Sequence, residues 1–168
     1  MHTIAYVGLG SNLGRREEKV LAAAYALEAR RAARVVRLSS LYESDPVGMG
    51  EAPRFINAVA EVVPLLRPGD LLQRLKAIEA GMGRTGGHRQ SREIDLDLVS
   101  YGAELVDSDA LVLPHPRFHE RAFVLIPLLE IAPGFVCPRT GRPAAALVAG
   151  LPPGGVERVS GRSFALRS

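Results

Sequence analysis

Residues 92–101 read Arg92-Glu93-Ile94-Asp95-Leu96-Asp97-Leu98-Val99-Ser100-Tyr101. Successive side chains of a strand point to opposite faces. The alternation therefore sets Ile94, Leu96 and Leu98 on one side and Asp95, Asp97, Val99 and Tyr101 on the other. Upstream, Leu71, Leu75, Ile78 and Met82 recur at helical spacing behind Pro68-Gly69, which predicts a second helix with Asp70 as its N-cap. Further back, residues 35–42 and 57–63 are β-rich, and the loop 43–54 between them holds Pro46, Gly48, Gly50 and Pro53, the mark of a functional connection. Residues 17–31 carry Val20, Ala24 and Leu27 on a helical stripe, acids early and arginines late, and residues 3–9 form an apolar strand closed by Gly10-Ser11-Asn12. Ser11 and Asn12 are expected to cap the first helix. Downstream come a turn at Gly102, Leu113-Pro114-His115, a helical stretch over 118–131 and a tail punctuated by Pro and Gly. The order strand, helix, strand, strand, helix, strand predicts an α+β fold, a ferredoxin-like split βαβ sandwich: an antiparallel sheet with helices packed on one face.

The 168 residues, 47% hydrophobic and 23% charged, suit one domain with a sizeable core and no linker or repeat. The longest apolar stretch, 122–131, contains Pro127 and Glu130 and falls short of the ~18 apolar residues a bilayer crossing needs, so no membrane role is expected. No export signal is visible, which predicts a cytoplasmic protein. The single cysteine, Cys137, gives neither an internal disulfide nor a cysteine-rich zinc site. The net charge is only +3, yet Lys19 and Lys76 are the only lysines among the 21 basic residues. Arginine suits bidentate contact with phosphate.

Chemistry concentrates in the opening segment. Asp95 and Asp97, at i and i+2, share a face, and two carboxylates held together repel unless a cation lies between them. Mg²⁺ takes one or two carboxylates and completes its shell with phosphate oxygens and water, so the pair is a candidate phosphate-metal site. Just before it, residues 81–92 hold four glycines and Arg84, Arg89 and Arg92, while His115, Arg117 and Arg121 follow later. A cationic loop beside a metal site suits phosphoryl transfer. Other nucleotide motifs are missing: Leu13 stands where a dinucleotide fingerprint needs glycine, and neither lysine follows a glycine as in a Walker loop. His115 and His119 are spaced like a zinc pair, but Pro116 interrupts a regular helix. RNA-recognition domains share this element order, yet Asn57-Ala58-Val59-Ala60-Glu61-Val62-Val63 has no aromatic residue on which bases stack, so no nucleic-acid partner is expected.

Taken together, Gly8-Leu9-Gly10-Ser11-Asn12-Leu13-Gly14, Ser44-Asp45-Pro46-Val47-Gly48, Phe55-Ile56-Asn57-Ala58, Arg92-Glu93-Ile94-Asp95-Leu96-Asp97 and Pro114-His115 through Arg121-Ala122-Phe123 strongly resemble the 6-hydroxymethyl-7,8-dihydropterin pyrophosphokinase family. The likeness runs over about residues 4–133 of a single domain spanning 1–168, with 134–168 as a tail. It implies an enzyme of folate biosynthesis that moves the pyrophosphoryl group of ATP to the pterin hydroxymethyl group and releases AMP. It implies that Asp95 and Asp97 hold two Mg²⁺ ions, with Asp95 also beside the pterin. Arg84 and Arg92 would be the catalytic cations on the phosphates, and Leu98, His115 and Arg121 further ATP contacts. Asn57 would hydrogen-bond the pterin edge, Phe55 and Phe123 its faces, and Ser44, Pro46 and Val47 would close the pocket. A monomer is expected from the family. The sequence departs from the family pattern at Gly86, where a second arginine is usual, at Gln90-Ser91 in a loop without tryptophan, and at Pro116.

Overall fold

The computed structural model describes residues 1–83 and 93–159. Strand β1 (Ala5–Ser11) lies between β4 (Phe55–Pro64) and β5 (Asp95–Tyr101), antiparallel to both. The far side of β4 is shared by β2 (Ala33–Leu38) and β3 (Tyr42–Ser44), and β8 (Val156–Arg158) adds outside β3. Helices α1 (Arg16–Ala29) and α2 (Pro68–Gly81) cover one face, as the split βαβ reading expects. Helices α3 (Ala122–Ile131) and α4 (Ala144–Ala149) form a further layer on the other face. A two-stranded ribbon, β6 (Val106–Asp107) and β7 (Val112–Leu113), links β5 to the chain leading into α3. No described helix is long and apolar enough to cross a membrane.

The core beneath α1 and α2 follows from period-2 and helical patterning. Ala5, Val7 and Leu9 of β1, Ile56, Ala58, Ala60 and Val62 of β4, and Leu96 and Leu98 of β5 meet Val20, Ala23, Ala24 and Leu27 of α1 and Leu71, Leu75 and Ile78 of α2. The alanines let α1 approach the sheet closely. Val59 and Val99, on the opposite face, pack with Phe118, Leu125, Leu128 and Leu147. The tail belongs to this layer: Phe135 meets Tyr6 edge to face at 5.4 Å, and Cys137 is buried there.

Several local expectations are corrected. β5 carries an irregularity opposite Tyr6/Val7, so Tyr6 pairs with Ser100 but Val7 with Leu98. The extra residue, Val99, resets the alternation. Tyr101 consequently turns to the α1/α2 face and donates its hydroxyl to the Leu66 carbonyl at 2.8 Å, instead of sharing the aspartate face. Residues 35–42 do not form one strand: Ser39 leaves the ladder, and its Oγ accepts from the Val59 amide at 2.9 Å. α1 ends at Ala29, which leaves Arg30 as C-cap and Arg31 beyond it at φ 55°. α2 starts at Pro68, a first-turn position that proline favours, so Asp70 lies inside the first turn and Arg67 is the N-cap. Ser11 and Asn12 do not cap α1; Asn12 Nδ2 donates instead to the Pro53 carbonyl at 3.2 Å.

Candidate active site

On the α3 face, one end of β1, β4 and β5 is left open by α3 and α4, and its floor is made by glycine. A Cβ on Gly10 would fall 2.9 Å from Asn57 Oδ1 and 3.6 Å from Phe55 Cδ1, so the missing side chain is what admits Asn57. The Asn57 Nδ2 donates to Ser44 Oγ at 2.6 Å, and both residues are buried. Two neighbouring strands thus fix the amide: Ser44 pairs with Phe55, and Tyr42 with Asn57. Beside Gly8, the same face carries Asp97.

Asp95 and Asp97 stand half-buried on one side of β5. Arg121 Nη1 lies 3.6 Å from Asp97 Oδ2, and His115 Nε2 lies 4.0 Å from Asp97 Oδ1. His115 is held by its backbone amide, which donates to the Val99 carbonyl at 2.8 Å, and by Nδ1, which accepts from the Arg117 amide at 3.1 Å. An accepting Nδ1 assigns the proton of the neutral ring to Nε2. Burial, then the positive field of Arg121, push this imidazole down to about 4, against the opposing pull of Asp95. At neutral pH it therefore faces Asp97 as an uncharged donor, and Arg121 supplies the cationic charge there. The Arg121 guanidinium carbon also sits 5.7 Å from the centre of the Phe123 ring, joining the carboxylate end of the site to the aromatic end.

These groups line one cavity of about 860 Å³, near the upper end of the range for small-molecule sites. Ser44, Val47, Phe55 and Asn57 line it on one side, and Asp95, Asp97, His115, Arg121 and Phe123 on the other. Two residues suggested by the resemblance are not among its walls. Leu98 is 3% exposed and packs toward α1 and α2, as the alternation that points Asp97 into the cavity requires. Pro46 lies in the loop beside the cavity without lining it. Arg84 and Arg92 lie outside the described residues, as do Arg89, Gly86 and Gln90-Ser91.

Sequence reasoning missed two groups of wall residues. Past the edge strand β5, the cavity reaches Leu72, Lys76 and Glu79 of α2. Glu79 is 4% exposed, and its Oε1 accepts from the Leu96 amide at 2.7 Å. Its place four residues after Leu75, on the buried stripe, was the available signal. Leu151, Pro152 and Gly154 to Val156 close the side next to Ser44 and Asp45, where the Asp45 amide donates to the Gly155 carbonyl at 3.1 Å. Nothing local in the tail announces this, because it depends on β8 pairing with β3.

Hard carboxylate oxygens on one strand face fit a small divalent cation. Among the described residues no group of three or more His, Cys, Asp or Glu forms a protein-only cage. A cation held by Asp95 and Asp97 would therefore fill its shell from a ligand and water. The arrangement suits a ligand with an aromatic, hydrogen-bonding end near Asn57 and a polyanionic end near Arg121 and His115.

Comparison with known proteins shows the family. The profile of the 7,8-dihydro-6-hydroxymethylpterin-pyrophosphokinase (HPPK) family matches residues 6–133. The 2-amino-4-hydroxy-6-hydroxymethyldihydropteridine pyrophosphokinase of Pseudomonas aeruginosa is 43% identical over 157 residues, 93% of this chain and 96% of that protein. The Bacillus subtilis protein of the same name is 42% identical over 132 residues, 78% of this chain and 79% of its own length. Among solved structures, a Plasmodium falciparum HPPK-DHPS chain with pteroate superposes with a TM-score of 0.70 at 13% identity, over 89% of this chain. This chain spans 44% of that longer one, and at such identity the likeness concerns the fold. On the family match and the curated relatives, the chain belongs to the HPPK family.

Proposed function

We propose that this chain transfers the pyrophosphoryl group of ATP to the hydroxymethyl group of 6-hydroxymethyl-7,8-dihydropterin, giving the pterin diphosphate and AMP for folate synthesis. The observation that carries the reading is a single cavity in a chain of this family joining Asn57, Phe55 and Phe123 to Asp95, Asp97, His115 and Arg121. Asn57 offers an amide to the polar edge of the ring, with its orientation set by Ser44. Phe55 and Phe123 supply aromatic faces for a flat heterocycle. Val47 and Pro46 belong to the loop that shuts the pterin end.

At the other end, Asp95 and Asp97 hold Mg²⁺, two ions with ATP. When bound, Mg²⁺ neutralises phosphate charge and lets the hydroxymethyl oxygen and the phosphate chain share one site. Arg121 and the Nε2–H of His115 bind phosphate oxygens, and Arg84 and Arg92 add positive charge where it develops during transfer. Lys76 and Glu79 border the cavity beyond the β5 edge, next to the phosphate end. The reaction forms one O–P bond at the β-phosphorus, breaks the bond from that phosphorus to the oxygen retained by AMP, and releases the hydroxyl proton to solvent. Positioning and charge carry it. A monomer in the cytoplasm is the setting the family resemblance implies.

Product analysis with Mg-ATP and 6-hydroxymethyl-7,8-dihydropterin tests the reading. Pterin-dependent AMP together with the pterin diphosphate is the expected result. ADP in place of AMP would overturn pyrophosphoryl transfer, and binding of neither substrate would overturn the site.

A further inference from the structure

Behind the pterin end lies a charge cluster centred on the reverse face of the sheet, with Asp45 alone of its members lining the cavity. Glu43 of β3 pairs with Ile56, a residue of the α1/α2 core, so its side chain points away from the cavity while Ser44 points into it. Its carboxylate is gripped from two sides. Arg16 Nη2, at the start of α1, lies 2.9 Å from Oε2, and Arg54 Nη1, just before β4, lies 2.7 Å from Oε1. Arg16 Nη1 also donates to the Arg54 carbonyl at 2.8 Å, which closes the ring of contacts. Arg54 Nε, shielded from solvent, lies 3.0 Å from Asp45 Oδ1, a charge contact rather than an aligned hydrogen bond. A weaker arm reaches Glu157 of β8 at 4.0 Å.

The placement of these contacts is what gives them meaning. Asp45 and Arg54 are the two ends of the loop that carries Val47, so one guanidinium ties the loop's exit to its entry. The loop's base is also held by the Asp45 amide on the Gly155 carbonyl and by Asn12 Nδ2 on the Pro53 carbonyl. The Ala52 amide donates to the Met49 carbonyl and turns the tip, which is otherwise open: Val47 is 67% exposed, and Gly48 and Gly50 take left-handed backbone with open space around them. Exposed ion pairs contribute little. Here, however, Glu43 is 28% and Arg54 34% exposed, and two arginines share one carboxylate, whereas the Asp45 arm, 68% exposed, is the weaker rim contact. Charge-assisted pairs in such a network hold geometry better than a lone rim pair.

We propose that Arg54 is a positioning residue for the pterin end of the site: through Glu43 and Asp45 it fixes the base of the 45–54 loop, and with it the spacing of Val47 from Ser44, Phe55 and Asn57. This rests on the proposed function, in which those residues receive the pterin. Because the clasp is remote from Asp95, Asp97 and Arg121, it governs pterin affinity and leaves the nucleotide side alone.

The test is steady-state kinetics together with amide hydrogen exchange on the full chain and on Arg54→Gln, Arg54→Lys, Glu43→Gln, the double variant E43Q/R54Q and Asn57→Ala. For Arg54→Gln we expect the pterin KM to rise about tenfold with kcat and the ATP KM within about twofold, and amides of residues 45–53 to exchange faster while β4 holds. Arg54→Lys should recover part of the loss. The double variant should be no worse than Arg54→Gln by more than about twofold, since both changes open the same clasp. Unchanged loop exchange in Arg54→Gln and Glu43→Gln would overturn the clasp. Faster exchange with an unmoved pterin KM, while Asn57→Ala raises it, would overturn the positioning role. A pterin KM unmoved by Asn57→Ala would overturn the substrate reading itself.

Discussion

The two faces of β1, β4 and β5 are made by the same backbone and do opposite work. Toward α1 and α2, every second residue from Ala5 to Leu9, Ile56 to Val62 and Leu96 to Leu98 is apolar and buried. Toward α3, the intervening positions divide. Tyr6, Val59 and Val99 are covered by α3, α4 and the tail, whereas Gly10, Asn57, Asp95 and Asp97 line the cavity. Stability is thus concentrated on one face and at one end of the other. The open end tolerates two adjacent carboxylates and a buried amide because the opposite face does not depend on them.

Adjacent residues of β5 offer the strongest way to break that comparison. Asp97→Ala removes a proposed cation ligand without touching the core. We expect kcat to fall at least about a thousandfold, about 4 kcal/mol of transition-state stabilisation. Denaturant unfolding should show stability within about 1 kcal/mol of the parent, as for other half-exposed charge contacts. Near-normal turnover at saturating Mg²⁺ would remove Asp97 from the metal site. Its neighbour Leu98→Ala should behave in the reverse sense. A fully enclosed leucine facing α1 and α2 costs about 2–5 kcal/mol when truncated, and the surviving folded fraction should keep its KM values. A selective loss of ATP affinity in Leu98→Ala would support the ATP contact that the family resemblance implies for Leu98.

The same division explains what could be read in advance. The α1/α2 face was legible because period-2 strands and helical stripes declare a core directly, and Asp95 and Asp97 stood out because carboxylates interrupted that pattern. Tyr101 was misplaced because the irregularity at Val99 leaves no trace in composition. Glu79 escaped because helix periodicity marks a buried face without saying that a cavity opens at its edge. The wall of residues 151–156 escaped for a different reason: its position comes from β8 pairing with β3, more than a hundred residues earlier. The same long-range pairing brings Glu157 to Arg54, so the clasp was equally invisible.

Gly10→Ala sharpens the contrast on a smaller scale. The added methyl would meet Asn57 Oδ1 at 2.9 Å, closer than such contacts occur, so the amide must shift. On the core face, a methyl added at a packed position costs stability of typically about 1–3 kcal/mol. On the site face, the displaced amide must shift against its bond to Ser44, so the loss should appear in the pterin KM, about tenfold, together with a stability loss of no more than about 1 kcal/mol for the weakened hydrogen bond. An unchanged pterin KM in Gly10→Ala would mean that Asn57 does not read the substrate.

The smallest effect tests the boundary where the covered part of the α3 face meets the open part. Tyr42 neighbours Asn57 across β3 and β4, but its hydroxyl donates to Glu130 of α3, whose Oε1 also accepts from the Ser40 amide at 2.8 Å and the Ser40 hydroxyl at 2.9 Å. Tyr42→Phe removes one donor from a carboxylate that keeps two, so about 1 kcal/mol of stability should be lost with kinetics unchanged. The phenol also gives this contact a pH signature. Burial, the hydrogen bond to Glu130 and its charge push Tyr42 up to about 12, and burial with the charge of Glu61 pushes Tyr6 to about 12. A raised phenol binds its proton more tightly folded than unfolded, so its contribution is complete below the ordinary value near 10 and is lost as pH rises through 12. Tyr101 is also raised, by burial and the charge of Glu104, so absorbance titration of the phenolates should show three late groups in the parent and two in Tyr42→Phe, and stability measured between pH 10 and 12 should fall less steeply in the variant. An unchanged number of late groups in Tyr42→Phe would detach Tyr42 from Glu130 and from the anchoring of α3, the helix that carries Phe123 to the site.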